Sequence, residues 1–150
     1  MQLMAKPKTS PLLLGLTNPH SDRPIDALCA TPIRSAGWRL WRLIKDVAPT
    51  ISSVDYERSF RRRNILDHPF ELRLHAPVGT TVVVLGDEVR AELNHRLSRK
   101  IEKVLIHPQL VDGVIWRLIP HTSGRTLLYN DPTVRALVGL LLLDLYQGRY

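Results

Sequence analysis

Three stretches of the chain share one plan: a continuous apolar run stops at a small or polar loop, and apolar positions then return at helical spacing. Leu12 to Leu16 runs into Thr17-Asn18-Pro19, Thr80 to Leu85 into Gly86-Asp87, and Val114 to Ile119 into Pro120 to Gly124. Unbroken apolar runs suit strands covered on both faces, and strands separated by helices suit a parallel sheet. The pattern predicts a three-layer α/β/α fold with a mainly parallel sheet of about four strands. It is read as one domain over residues 1–150, with a flexible N-terminus at 1–10 and a core from 11 to 146. In such sheets ligands bind beyond the carboxyl ends of the strands, so the three loops are where a site is expected.

The helical stretches are uneven in character. Ser35 to Val47 is predicted as a helix stopped by Pro49, with Leu40, Leu43, Ile44 and Val47 on one arc and Trp38, Trp41, Arg42 and Lys45 on the opposite one. A second helix is predicted from Ser53 to Arg63, because Asp55 and Glu57 early and Arg61, Arg62 and Arg63 late complement a helix dipole. Phe70 to His75 fits a strand or a short helix. Asp87 is expected to cap a helix to about Val104, and Asn130 or Asp131 with Pro132 to open the last one, to about Tyr146. Between Val134 and Tyr146 only Arg135 and Asp144 are charged, so this helix is expected to lie between layers or against another subunit.

Charge adds a possible partner. The formal net charge is +7, and residues 1–64 carry 11 Lys or Arg against 5 Asp or Glu, whereas residues 65–150 carry 10 against 9. The excess is therefore N-terminal. Arg42, Lys45, Arg61, Arg62 and Arg63 are candidates to neutralise phosphates, with Trp38 or Trp41 as a stacking surface. The alternative is two core tryptophans with charges reaching out to solvent.

Other chemistries find little support. The single Cys29 allows no internal disulfide, no CxxC pair and no four-cysteine iron-sulfur cluster, and it has no evident base partner. The histidines form no HExxH, and no GxGxxG or GxxxxGK[ST] phosphate loop is present, so neither metal nor cofactor is expected. The longest apolar run, Ala136 to Leu143, is far below the ~20 residues of a membrane span, and a soluble cytoplasmic protein is expected.

Leu14-Gly15-Leu16-Thr17-Asn18-Pro19 after a first strand, Val84-Leu85-Gly86 before a helix and Pro120-His121-Thr122-Ser123-Gly124-Arg125 after a last strand together resemble the uracil-DNA glycosylase superfamily. The resemblance covers about residues 11–146. Thr17 adds one residue before Asn18, and Thr122 stands where the superfamily has proline. The resemblance implies that Asn18 positions a water, that His121 donates to the departing base and that Ser123 grips the DNA backbone. It further implies that Asn64 reads the base edge. The residues themselves also allow Asn18 to make only an Asx turn before Pro19, and His121 to be an exposed loop histidine. Three functions stay open: hydrolysis of the N-glycosidic bond of uracil or a mismatched base in DNA, nucleic-acid binding without catalysis, and a structural subunit contacting a protein partner or a second copy through the leucine-rich helix.

Overall fold

The computed structural model describes residues 10–19, 21–67, 69–122 and 127–148. Ser123 and nearly all of the expected flexible N-terminus lie outside them. The strands are β1 (Leu12–Gly15), β2 (Arg61–Asn64), β3 (Thr81–Leu85), β4 (Gln109–Val111) and β5 (Val114–Ile119); the helices are α1 (Ala36–Val47), α2 (Ser53–Ser59), α3 (Leu72–His75), α4 (Asp87–Asn94) and α5 (Pro132–Tyr146). They build an α/β/α sandwich around one five-stranded sheet of order β2-β1-β3-β5-β4. All neighbours are parallel except β4, which runs antiparallel to β5.

Strands β1 and β3 are buried along their whole length, which is why their sequences run apolar without alternation. On one face Leu13, Val83, Leu85 and Ile119 pack with Leu40 and Ile44 of α1, Tyr56 of α2, and Val138 and Leu142 of α5. On the other, Leu12, Leu14, Val82, Val84, Trp116 and Leu118 pack with Val89 and Leu93 of α4 and with Ile101. Helix α5 thus covers the sheet. Its outer side leaves Leu137 and Leu140 about half exposed, at 48% and 49%.

Several expectations need correction. The three-layer fold with a mainly parallel sheet is the one expected, and its five strands are one more than the approximate four; the corrections concern single elements. The helix expected over Ser53 to Arg63 stops at Ser59, and Arg61, Arg62 and Arg63 form the edge strand β2, paired with Leu12, Leu13 and Leu14. A dipole-compatible charge order did not decide the matter, because pairing with β1 satisfies the backbone of residues 61–64 instead. Strand β4 joins β5 through Asp112 and Gly113, both with positive φ, the conformation of a tight two-residue hairpin turn. Helix α4 ends at Asn94, far short of Val104. The Asn94 side chain accepts from the Ile101 N–H at 2.8 Å and draws the returning chain against the helix end. Gly86, not Asp87, is the residue before the first turn of α4, and Asp87 instead pairs with Arg90 at 2.6 Å. Phe70 to His75 resolves into the short helix α3.

The strand order reverses at β1. The connection from β1 to β2 passes through α1 and α2 on one face, whereas the connection from β3 to β5 passes through α4 on the other. Chains diverging this way leave a crevice at the carboxyl ends of β1 and β3.

Candidate functional site

A cleft of about 200 Å³ occupies that crevice. Asn18 comes from the loop after β1, Asn64 from the last position of β2, Leu85 from the end of β3 and His121 from the loop after β5; residues 26–37 close the opposite side. Three residues selected from the sequence, Asn18, Asn64 and His121, therefore share one cavity although they are far apart in the chain.

The Asn18 amide nitrogen donates to the Asp26 carbonyl at 3.1 Å, which fixes the plane of the amide. Asn64 pairs in register with Gly15. A Cβ at Gly15 would sit 2.5 Å from the Asn64 Oδ1, so a glycine there is what lets the amide lie across the end of β1. Asn64 is only 1% exposed, and neither its Nδ2 nor its Oδ1 has a hydrogen-bond partner within 3.5 Å, although the amide lies near enough to Asp67 to favour its charged form. Leaving a buried amide unsatisfied costs about 1–3 kcal/mol, a cost that a ligand with complementary groups removes. The nearby Asp67 has its pKa raised by burial, against the opposing pull of the Asn64 amide and the Arg63 charge.

His121 rests on Gly86, whose own φ is +92° and whose missing Cβ would lie 2.9 Å from the His121 Cβ. Burial lowers the His121 pKa from the ordinary 6.5, with Glu88 pulling weakly the other way, so the ring is neutral at neutral pH. A neutral imidazole still carries one N–H donor. Thr122 is buried and donates to the Ala36 carbonyl at 3.0 Å. It latches the loop after β5 to the start of α1.

The sequence reading overlooked the wall formed by residues 26–37. This wall is held from behind: Tyr56 Oη donates to the Leu28 carbonyl at 2.8 Å, Glu57 accepts from the Ala30 N–H at 2.8 Å, and Arg62 donates to the Ala27 carbonyl at 2.8 Å and to the Cys29 sulfur at 2.9 Å. A Cβ at Gly37 would lie 2.2 Å from the Leu28 and Cys29 carbonyl oxygens, so α1 approaches the wall as closely as its backbone permits. Leu28 and Arg34 line the cleft with positive φ, a strained conformation for side-chain-bearing residues that concentrates at functional sites. Burial pushes the Cys29 thiol up in pKa despite the adjacent Arg62. The Ser35 hydroxyl, which accepts from the Trp38 N–H at 3.1 Å, was the one legible signal that a helix starts here.

The basic residues divide. Arg61 donates to the Ser10 and His75 carbonyls and Arg62 holds the wall, so both act within the fold. Arg42 is exposed with its guanidinium 5.5 Å from the Trp38 ring centre, and Lys45 lies 4.9 Å from that of Trp41. Trp41 is part of the packing, since its indole N–H donates to the Ile51 carbonyl at 3.1 Å. Among the described residues no group of three His, Cys, Asp or Glu gathers to hold a metal, and no helix is long and apolar enough to cross a membrane.

With that geometry in view, the chain was compared with known proteins. No protein-family model and no curated protein matches it. The cleft's chemistry therefore carries the functional argument.

Proposed function

We propose that the cleft binds a nucleobase extruded from DNA and that the protein hydrolyses the bond joining that base, uracil or a mismatched base, to its deoxyribose. The observation that carries the reading is Asn64: a buried amide whose donor and acceptor have no partner within 3.5 Å lines the same cleft as Asn18 and His121. The edge of a pyrimidine presents an acceptor beside a donor, which matches one amide.

In the reaction the C1′–N bond breaks and its electron pair leaves with the base. A water oxygen bonds to C1′, the water's proton passes to solvent, and the base anion takes up a proton after departure. Asn18 holds the water through its amide oxygen. His121, neutral because it is desolvated, donates its N–H to the base oxygen on which negative charge grows. The N-terminal excess of charge on residues 1–64 favours approach to a polyanion.

The test is incubation of the protein with uracil-containing and mismatched DNA in the presence of a chelator, followed by alkali. Strand breaks at the substituted base, with free base in solution, are expected. Salt-sensitive retention of DNA with no base released from any substrate would move the assignment to nucleic-acid binding without catalysis.

A further inference from the structure

Helix α5 buries one side against the sheet and leaves the other bare. Thr133, Ala136, Leu140, Leu143 and Gln147 follow one another at alternating spacings of three and four, which places them in one stripe along the outward side of the helix, with Leu137 beside it. All of these are exposed except Leu143, which is half-buried, and Asp144 is the only charged residue on this side. The stripe is apolar in the middle and polar at both ends. It therefore reads alike in both directions, as a surface must to meet a copy of itself about a two-fold axis.

Helix α1 shares this outer surface. Both helices start at the carboxyl ends of the strands, where Ala36 lines the cleft and Tyr129, shortly before α5, donates to the Pro120 carbonyl at 2.6 Å; α1 and α5 thus run parallel. They touch at Gly139, where a Cβ would lie 2.6 Å from the Leu43 carbonyl oxygen and 3.5 Å from the Val47 Cγ1. Gly139 is accordingly level with the turn between Leu43 and Val47, and Val138 with Ile44, midway between Arg42 and Asp46. Arg42 and Asp46 are exposed, and neither forms an ion pair among the described residues.

We infer that the outer face of α1 and α5 is an interface with a second copy of this chain, in which the two α5 helices cross antiparallel about a two-fold axis at the level of Val138. That axis sets Leu140 against the partner's Ala136 and Leu143 against the partner's Thr133, each large side chain facing a small one. The same axis sets Arg42 against the partner's Asp46 and Asp46 against the partner's Arg42, so the charges at the rim are complementary only in this orientation. Helix α5 is about 22 Å long, and with α1 alongside it offers a contact near the lower end of stable interfaces, about 1,200 Å² in total. A dimer with a micromolar dissociation constant is expected. The inference does not rest on the base-excision reading, because the cleft lies at the strand ends and not on this face.

The experiment is sedimentation equilibrium of the full chain without DNA, from nanomolar to high micromolar concentration. The mass is expected to rise from one chain to two and stop there. Leu140→Glu, at a half-exposed position, should keep the thermal unfolding temperature and weaken the dimer by about 30-fold or more, as loss of a central anchor does. Arg42→Asp should weaken it by about tenfold, by facing two like charges across the axis, and Arg42→Asp with Asp46→Arg should restore it. If Leu140→Glu fails to fold, the charge series at its exposed positions decides alone. A single-chain mass at every concentration would overturn the inference and leave the face to a different protein. A dimer untouched by Leu140→Glu would overturn it by placing the contact elsewhere, and a mass that grows past two chains would do so by showing an open, head-to-tail contact. A doubly substituted chain that associates no better than Arg42→Asp would overturn the antiparallel pairing. Base release by Leu140→Glu should match wild type, so failure of excision and failure of the dimer are read separately.

Discussion

Arg61 to Arg63 and Asn64 are consecutive on one short edge strand, yet they stand in opposite conditions. Arg61 and Arg62, the most conspicuous charge in the sequence, have guanidinium groups engaged by carbonyls of residues 10, 27 and 75 and by the Cys29 sulfur. Asn64 is uncharged and inconspicuous, yet neither atom of its buried amide has a partner within 3.5 Å. The difference teaches that a side chain anchored by several hydrogen bonds within the fold is part of the architecture, even where one buried atom such as the Arg62 Nε is left over, whereas an amide with both its donor and its acceptor left open marks a place for something else. Arg62 still bears on the site, because it braces the wall that faces Asn64 and His121.

The contrast breaks most visibly in the cleft loops. Asn18→Ala and His121→Ala should each slow base release by about 10²-fold, as loss of a single preorganised group does at an oxyanion site, while thermal unfolding changes little. Equal losses of stability and activity would make these residues structural. Arg62→Ala should do the reverse, lowering stability by about 2 kcal/mol in denaturant titration through loss of a charged hydrogen-bond donor. A variant of unchanged stability that binds DNA more weakly and with a flatter salt dependence would return this arginine to the DNA surface.

A subtler effect concerns acid. His121 has a folded-state pKa below the unfolded value near 6.5, so the unfolded chain binds the proton first as pH falls. Its contribution is intact above that value and is lost as pH drops through the lowered folded-state pKa. His121→Gln should therefore unfold less steeply with acid over that window, and an unchanged profile would show that the ring is not desolvated. The smallest effect is expected at Arg42. Arg42→Ala should cost about 0.5 kcal/mol, the worth of an exposed cation–π contact, and should lower the salt slope of DNA binding by about one if the residue meets a phosphate.

Much of this architecture is readable in the sequence where burial is two-sided. Strands β1 and β3 announce themselves as apolar runs, β5 does so less purely with Arg117 at a half-buried position, and Asp131-Pro132 and Ser35 mark helix starts with the caps they form. Strand β2 was hidden because Arg-Arg-Arg-Asn carries no apolar signal; an edge position leaves its side chains only half buried, and the pairing that creates it is non-local. The three-residue β4 was hidden too, although Asp112-Gly113 between apolar residues is a hairpin signature that could have revealed it. For the site, the strand-loop-helix order was enough to locate Asn18 and His121 at one edge of the sheet. The wall of residues 26–37 was not legible, since it is shaped by contacts from Tyr56, Glu57 and Arg62 that no local pattern encodes.

The most direct test of the contrast is a paired measurement on Asn64→Ala: single-turnover release of uracil from uracil-containing DNA, and unfolding free energy of the same preparation. The amide is expected to matter only when a base is present. Release should fall by about tenfold or more, while stability stays within about 1 kcal/mol of wild type, because truncation removes an unsatisfied polar group along with its packing. Uracil release at the wild-type rate, accompanied by a clear loss of stability, would contradict the account and make Asn64 a structural residue of β2.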